Sequence, residues 1–503
     1  MFPPYSSSSH VDLFQSPKTL ALIGYLLNNQ PRWGLVSYLS RKYKVSRRTI
    51  YLIGQKYLGF SENTALREAK DNLNAESKRR AIDFILSLRL EGKCSLESIH
   101  AVLVSQNYGY NSVGFISQEL ERLGLLQGSS DDVDLVKEGI KYVFCSDEIF
   151  ANGRPILITV EPCSLKILSI ELSEKCDSLS WEQHWSKLLS DGYTPLYICK
   201  DEGRGMQAAH KELFTDLPYQ SDTFHGVAHR LGLERLRLEK ATDKAIEAEY
   251  ESYDLWWKSA SEKVFNRRCS EYEDAQKASR KAIELQENFC FLYYCMLDCF
   301  QLFDAKGNLK KTTKVVQDFD VALEFMQTLK IQDIEKDLKT IHNIKHSLFH
   351  FSAIANQNFQ QMQKQFDNEI LQMAAAAWQF NKNSRKIKNN TKYKKDLLAK
   401  EQALLSTIEF FEPDRFEQMK SQIYTQLDNI IQASSSVECI NSILRTYLDS
   451  FKGNVTQAFL NLFRQYHNNR LFYQGVRKGK SPNQIFYKKE QQIPWKEVIT
   501  SKV

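Results

Sequence analysis

The spacing of apolar positions divides the chain into zones of different period. Residues 1–16 are Ser-rich without apolar periodicity, which predicts a tail. From 17 to about 127, apolar residues recur at helical spacing in short runs broken by turns. Trp33–Tyr43, a turn at Lys44–Ser46 and Arg47–Tyr57 form one predicted helix-turn-helix. Ser95–Gln106, a turn around Tyr108–Asn111 and Ser112–Gly124 form another, and in both a Ser opens the second helix. The pattern then changes to short apolar and β-branched runs. Tyr142–Phe150, Pro155–Glu161 and Lys166–Leu172, separated by Asn-Gly and Pro-Cys-Ser turns, predict three antiparallel strands. An amphipathic helix at Trp181–Ser190, a strand at Pro195–Lys200, a helix at Gly203–Phe214 and a last strand at Ser221–Val227 complete a mixed α/β layer.

Between Leu233 and Lys452 the only breakers are Gly307 and Pro413. Strands and tight turns need more breakers than that, so this zone predicts a block of long helices. Ala322–Leu329 and Leu397–Ile408 are heptad-like, but neither a sustained coiled coil nor a repeat of fixed period is present. The fold class expected is multidomain α and α/β.

Composition adds limits. The 503 residues, 25% charged and 12% aromatic, exclude a largely disordered chain. No run approaches the ~20 apolar residues of a membrane span, and the N-terminus lacks an apolar signal core, so a soluble cytoplasmic protein without a membrane partner is expected. The ten Cys are scattered without a C-x-x-C pair and read as buried reduced thiols. The net charge of +6 is unevenly spread: residues 1–60 sum to +7, 451–503 to +8 and the segment between them to −9. Basic ends around an acidic middle point to a polyanion, with nucleic acid the leading partner.

Three acids stand where this layout makes them useful. Asp147 lies inside the first strand, where an unpaired carboxylate is costly to bury and a metal is one possible partner. Asp201 follows the strand Pro195–Lys200 and precedes Glu-Gly-Arg-Gly, at the strand end where sites of α/β layers gather. Glu438 follows three Ser that can cap a new helix, placing the acid in its first turn. Two Asp and a Glu so arranged can hold two divalent ions ~3.5–4 Å apart for in-line displacement at phosphorus. Glu148, Glu202 and Asp222 are the rival carboxylates.

The order strand–strand–strand–helix–strand with Asp147, Asp201 and Glu438 resembles the RNase H-like catalytic domain of DDE transposases and retroviral-type integrases. Glu438-Cys-Ile-Asn-Ser-Ile-Leu-Arg through Arg470, and the closing Gly479-Lys-Ser-Pro-Asn-Gln-Ile-Phe486, look like the tail of bacterial insertion-sequence transposases. Asp222-Thr-Phe-His-Gly-Val-Ala-His229 is similar to a segment after the second Asp in several of these families. The resemblance implies a tail at 1–16, helix-turn-helix domains at 17–60 and 61–135, a catalytic core at 136–232 and 434–487, an all-helical insertion at 233–433 and a tail at 488–503. It further implies a nucleoid-associated bacterial enzyme with two Mg²⁺ or Mn²⁺ ions at Asp147, Asp201 and Glu438. Such an enzyme binds double-stranded DNA, both terminal inverted repeats and target, as a homodimer or larger assembly.

For DNA contact, Arg47 and Arg48 open the second helix of the first motif, where side chains meet base edges, with Arg41, Lys42 and Lys44 on the backbone. The run Lys382–Lys395, including Lys386 and Lys388, carries seven cations and no acid, and is either a backbone track or a solvated loop. Arg445, Arg464, Arg470, Arg477, Lys478 and Lys480 are placed to hold the strand being cut. His225 and His229 are either ligands or ordinary hydrogen-bonded histidines. The stripe His342, His346 and His350 has chelate spacing but no fourth ligand nearby, and reads as solvated or packed. Trp256 and Trp257 read as core.

Overall fold

The structure is a computed structural model describing residues 20, 23–24, 26–27, 33–57, 75–128, 139–304, 306–389, 391–489 and 493–501. The expected tail at 1–16 and the expected boundaries at 60/61 and 135/136 lie outside these residues. The chain is mostly helical with one small mixed sheet, and divides into two compact units, 1–119 and 120–503. Among the described residues no helix is long and apolar enough to cross a membrane.

In the first unit, α1 (Leu35–Lys42) and α2 (Arg47–Tyr57) pack through Leu35, Leu39, Ile50 and Ile53 onto Leu20 and Ile23. The turn between them passes through Lys44 at φ 54°, and Ser46 Oγ accepts the Thr49 amide at 3.0 Å. α3 (residues 75–86) runs into a π turn, Ser87–Glu91, and is followed by α4 (Leu96–Ser105) and α5 (Val113–Leu126), whose residues from Leu120 onward, Gly124 among them, belong to the second unit. Ser95 and Ser112 cap α4 and α5 by accepting the amides of Ser98 and Phe115, each at 3.2 Å. Local capping chemistry therefore starts these helices at the predicted places.

In the second unit, β1 (Lys141–Ala151), β2 (Arg154–Glu161), β3 (Lys166–Leu172), β4 (Thr194–Lys200) and β5 (Tyr219–Ser221) form a sheet of order β3-β2-β1-β4-β5. β1–β2 and β2–β3 are antiparallel; β1–β4 and β4–β5 are parallel. α6 (Ser178–Ser190) and α7 (Arg204–Leu213) cover one face through Trp181, Trp185, Leu188, Met206 and Ala209, against Phe144, Leu157 and Ile198. The edge strand β3 is closed by the last long helix, Gln457–Asn469. Its Asn468 side chain pairs with both the amide and the carbonyl of Ile167, at 2.9 Å each, so the edge offers fewer free groups for mispairing. That helix also meets α5 so closely that a methyl on Gly124 would lie 2.2 Å from the Ala458 carbonyl oxygen.

The expected strand Ser221–Val227 is shorter than its apolar pattern suggests. β5 stops at Ser221 because the Asp222 carboxylate accepts the amides of Phe224 (2.6 Å) and His225 (3.0 Å) and bends the chain into a π turn, Phe224–Ala228. From there the chain enters the helical block: α8 (His229–Trp257), α9 (Glu262–Asp298), α10 (Thr312–Thr328), α11 (Glu335–Leu348), α12 (His350–Met362), α13 (Asn368–Arg385), α14 (Lys392–Phe411) and α15 (Phe416–Asp428). Its core includes Phe289, Phe319, Ile341, Phe351, Trp378 and Ile423. The block leans on the sheet through Gln220, whose side chain bonds the Leu348 carbonyl and the Phe351 amide. The chain returns beside its point of departure, where the Ser434 amide and hydroxyl both donate to Asp222 Oδ2. α16 (Ser435–Ser450) then packs against β1 and β2.

Candidate active site

β1 and β4 run in parallel register, Cys145 opposite Cys199, so Asp147 and Asp201 sit side by side where β4 ends. Asp201 Oδ1 accepts the Gly203 amide at 2.9 Å, which folds the Glu-Gly-Arg-Gly loop back over the carboxylate. A methyl on Gly203 would lie 3.0 Å from Asp201 Oδ1 and 4.0 Å from Glu148 Oε1, so the glycine leaves these carboxylates room to approach. α16 brings two more groups to β1. Asn441 Nδ2 donates to Asp147 Oδ2 at 2.7 Å, whereas Glu438, in the first turn, adds only the smallest share of repulsion at Asp147 and pairs with His225 instead.

The electrostatics follow mainly from Asp147, Glu148 and Asp201, with Glu438 the most weakly coupled acid. Burial first, then repulsion from Asp201 and Glu148 with a smaller share from Glu438, pushes the Asp147 carboxyl up to about 7. Burial and Asp201 push Glu148 to about 7 as well. Glu148 Oε2 is buried without a hydrogen-bond partner. Beside them Lys200 is fully buried over the Tyr219 ring at 4.2 Å, and desolvation brings its ammonium down to about 8. Carboxylate oxygens held together against their own repulsion are the donor set that a hard divalent cation satisfies.

Glu438 Oε1 lies 2.6 Å from His225 Nε2. Asp222, His225 and Glu438 present ligand atoms within 4.8 Å of one another, but both oxygens of Asp222 are already engaged by backbone amides and Ser434, which marks it as structural. A cleft of about 410 Å³ opens beside this group, lined by Asp201, Glu202, Gly203, His225, His229 and Arg230 among others. The expected capping role of the three Ser is not seen for Ser434, which stands at the N-cap but turns its hydroxyl to Asp222.

The remaining candidates separate. Arg41, Lys42, Lys44, Arg47 and Arg48 are exposed around the turn between α1 and α2. Lys386 and Lys388 are exposed after α13, whereas Lys382 packs over the Trp378 ring at 4.7 Å and donates to Gln432 Oε1. Arg445 is exposed on α16, Lys480 is exposed, and half-buried Arg470 stacks on Tyr466. Arg464 and Arg477 cannot grip a strand as expected: Arg464 is buried and donates to the Gln127 carbonyl, and Arg477 donates to the carbonyls of Pro162 and Cys163. The histidine stripe is broken where α11 ends at Leu348, with His342 and His346 exposed and His350 against Tyr197. All ten Cys are free; Cys145, Cys199 and Cys299 are buried and Cys439 is exposed, so burial holds for only some of them. Trp257 is 72% exposed instead of core. Sequence reasoning underweighted His225 and missed Asn441, whose only signal was its place one turn after Glu438.

Comparison with protein-family models finds no match, and comparison with curated proteins finds none either.

Proposed function

We propose that this chain is a DDE-type transposase whose RNase H-like core cuts and joins DNA at Asp147, Asp201 and Glu438. What supports the reading is Asp147 and Asp201 side by side on β1 and at the end of β4, with Glu438, 237 residues after Asp201, on the helix α16 that packs against β1. The sheet order β3-β2-β1-β4-β5 and the covering helix α16 agree with that core. Asp147, Asp201 and Glu438 would hold two Mg²⁺ or Mn²⁺ ions, which when bound activate water or a 3′-hydroxyl and stabilise the leaving oxygen. Asn441 orients Asp147, and the Asp201–Gly203 contact fixes the loop beside it. His225 holds the Glu438 carboxylate at the cleft edge. Arg41, Lys42, Lys44, Arg47 and Arg48 bind the terminal inverted repeats, and Lys386, Lys388, Arg445, Arg470 and Lys480 hold backbone phosphates as a dimer or larger assembly unites two ends.

The test is cleavage and joining of a labelled duplex carrying the native element end, with Mg²⁺, Mn²⁺ or chelator. Metal-dependent nicks and joined products, lost in Asp147→Ala, Asp201→Ala and Glu438→Ala with end binding retained, are expected. Tight binding without a metal-dependent cut, or full activity in Asp147→Ala, overturns the reading.

A further inference from the structure

Helices α8 and α9 form an antiparallel hairpin whose distal part is unlike the rest of the block. From 243 to 278 no side chain is buried, although both helices continue. The two helices of this arm hold each other: Gln276 reaches Glu249, Tyr272 stacks on Trp256 at 5.3 Å, and Arg268 bonds the Leu255 carbonyl. At the tip Tyr250 and Trp257 are each 72% exposed.

On α9, the face turned away from α8 carries charges in blocks. Glu262, Lys263 and Arg267, together net positive, are followed by Glu273 and Asp274, then Lys277, Arg280 and Lys281, then Glu284 and Glu287. At 100° per residue these positions fall within roughly a 160° arc, and all are exposed. Of them, Arg267 and Lys277 pair only along their own helix, with Glu271 at 3.4 Å and Asp274 at 3.7 Å, through side chains more than half exposed. Such pairs are weak and leave the face able to bind. Directly beyond Glu287, at the base of the arm, α9 and α10 enclose a groove of about 850 Å³. Phe291, Tyr294, Val321 and Phe325 line it while 46–68% exposed; of the lysines in its wall, Lys310 and Lys314 already pair with Asp298 and Asp318, which line it too.

The block order plus–minus–plus–minus becomes complementary to itself when reversed about a point near residue 276. Lys263 and Arg267 then face Glu284 and Glu287, and Glu273 and Asp274 face Lys277, Arg280 and Lys281. A parallel, in-register pair would instead set like charge on like. The same reversal brings the turn 258–262, with Trp257 beside it, to the level of Phe291 and Tyr294. Within one chain the tip cannot reach that groove, because residues 262 and 291 stand about 44 Å apart along α9. We infer that the arms of two copies lie antiparallel across a two-fold axis, the charge blocks of one α9 against those of the other, with each tip setting its exposed Trp257 at the apolar groove of the other. The contact is closed and self-complementary, and it stands independently of the chemistry proposed above.

Sedimentation of the full chain tests it with four proteins. Wild type forms a dimer that weakens as salt rises. Lys277→Glu/Arg280→Glu/Lys281→Glu makes both central blocks acidic, and Glu273→Lys/Asp274→Lys makes both basic. Each variant alone associates about tenfold more weakly or worse, while the two mixed form a heterodimer, which also shows that both arms are folded. Trp257→Ala weakens the wild-type dimer without altering helicity. A monomeric wild type, variants that dimerise as wild type does, or a mixture that stays monomeric overturns the inference.

Discussion

Asp222→Ala is expected to open the base of the helical block. The Asp222 side chain is buried, at 1% exposure, and joins the point where the chain leaves the sheet to the point where it returns. It accepts the amides of Phe224 at 2.6 Å, His225 at 3.0 Å and Ser434 at 2.7 Å, together with the Ser434 hydroxyl. Hydrogen bonds to a charged acceptor contribute about 1.5–3 kcal/mol each, and orphaned buried donors carry a further desolvation cost. Partial access of water to the vacated site offsets some of this, which leaves roughly 3–5 kcal/mol. The loss should be local first, since α16 and the π turn lose their common anchor. Amide hydrogen exchange is the direct assay: protection at 224–228 and 434–440 should fall by about 10² or more at tenfold per 1.4 kcal/mol, with β2 and β3 much less affected. Because Glu438 rides on the first turn of α16, the proposed metal-dependent cleavage should fall as well. Unchanged exchange at 434–440 would show that Asp222 does not hold this junction.

Four further outcomes follow. Gly124→Ala forces a methyl 2.2 Å from the Ala458 carbonyl oxygen, so the α5 packing must open at a cost of about 1–3 kcal/mol, readable as a lowered thermal midpoint; an unchanged midpoint refutes the close approach. Asp147 carries a folded-state pKa of about 7 against 3.8 otherwise, so its ionisation opposes folding as pH rises from about 4 to about 7; Asp147→Asn should be the more stable protein above pH 7, by on the order of 2 kcal/mol, with the gap closing toward pH 4 in chemical denaturation. Adding Mg²⁺ should raise the midpoint of wild type and not of Asp147→Asn, and equal shifts would argue against ion binding there. Arg47→Ala/Arg48→Ala should weaken end binding and flatten its salt dependence, by a log–log slope of about 0.9 for each phosphate that the variant no longer neutralises; an unchanged slope removes these residues from the interface.

What could be read from the chain was what local chemistry decides. Ser46, Ser95 and Ser112 start their helices by accepting nearby amides, and the Gly- and Pro-poor stretch after Leu233 is helical because nothing in it interrupts helices. Asp147 and Asp201 could be paired because the parallel register follows from the order of elements. The strand expected at Ser221–Val227 failed because Asp222 bonds two amides ahead, a local competitor that apolar counting does not weigh. His225 beside Glu438 and Asn441 on Asp147 arise from contacts across 213 and 294 residues, which no spacing encodes. The basic candidates divided for a related reason: Arg464, Arg477 and Lys382 look alike in sequence to exposed cations, but buried carbonyls and a tryptophan face claim them.

The return of the chain to Asp222 after the helical block also sets a clock. A ribosome adding about 5–20 residues per second needs roughly 12–47 s to pass from Asp201 to Glu438. During that interval the nascent chain carries both aspartates, while the glutamate has not been made. Glu438 is therefore the last of the three acids to be made, and a chain that stalls or is truncated within the block bears a basic N-terminal unit and both aspartates without it.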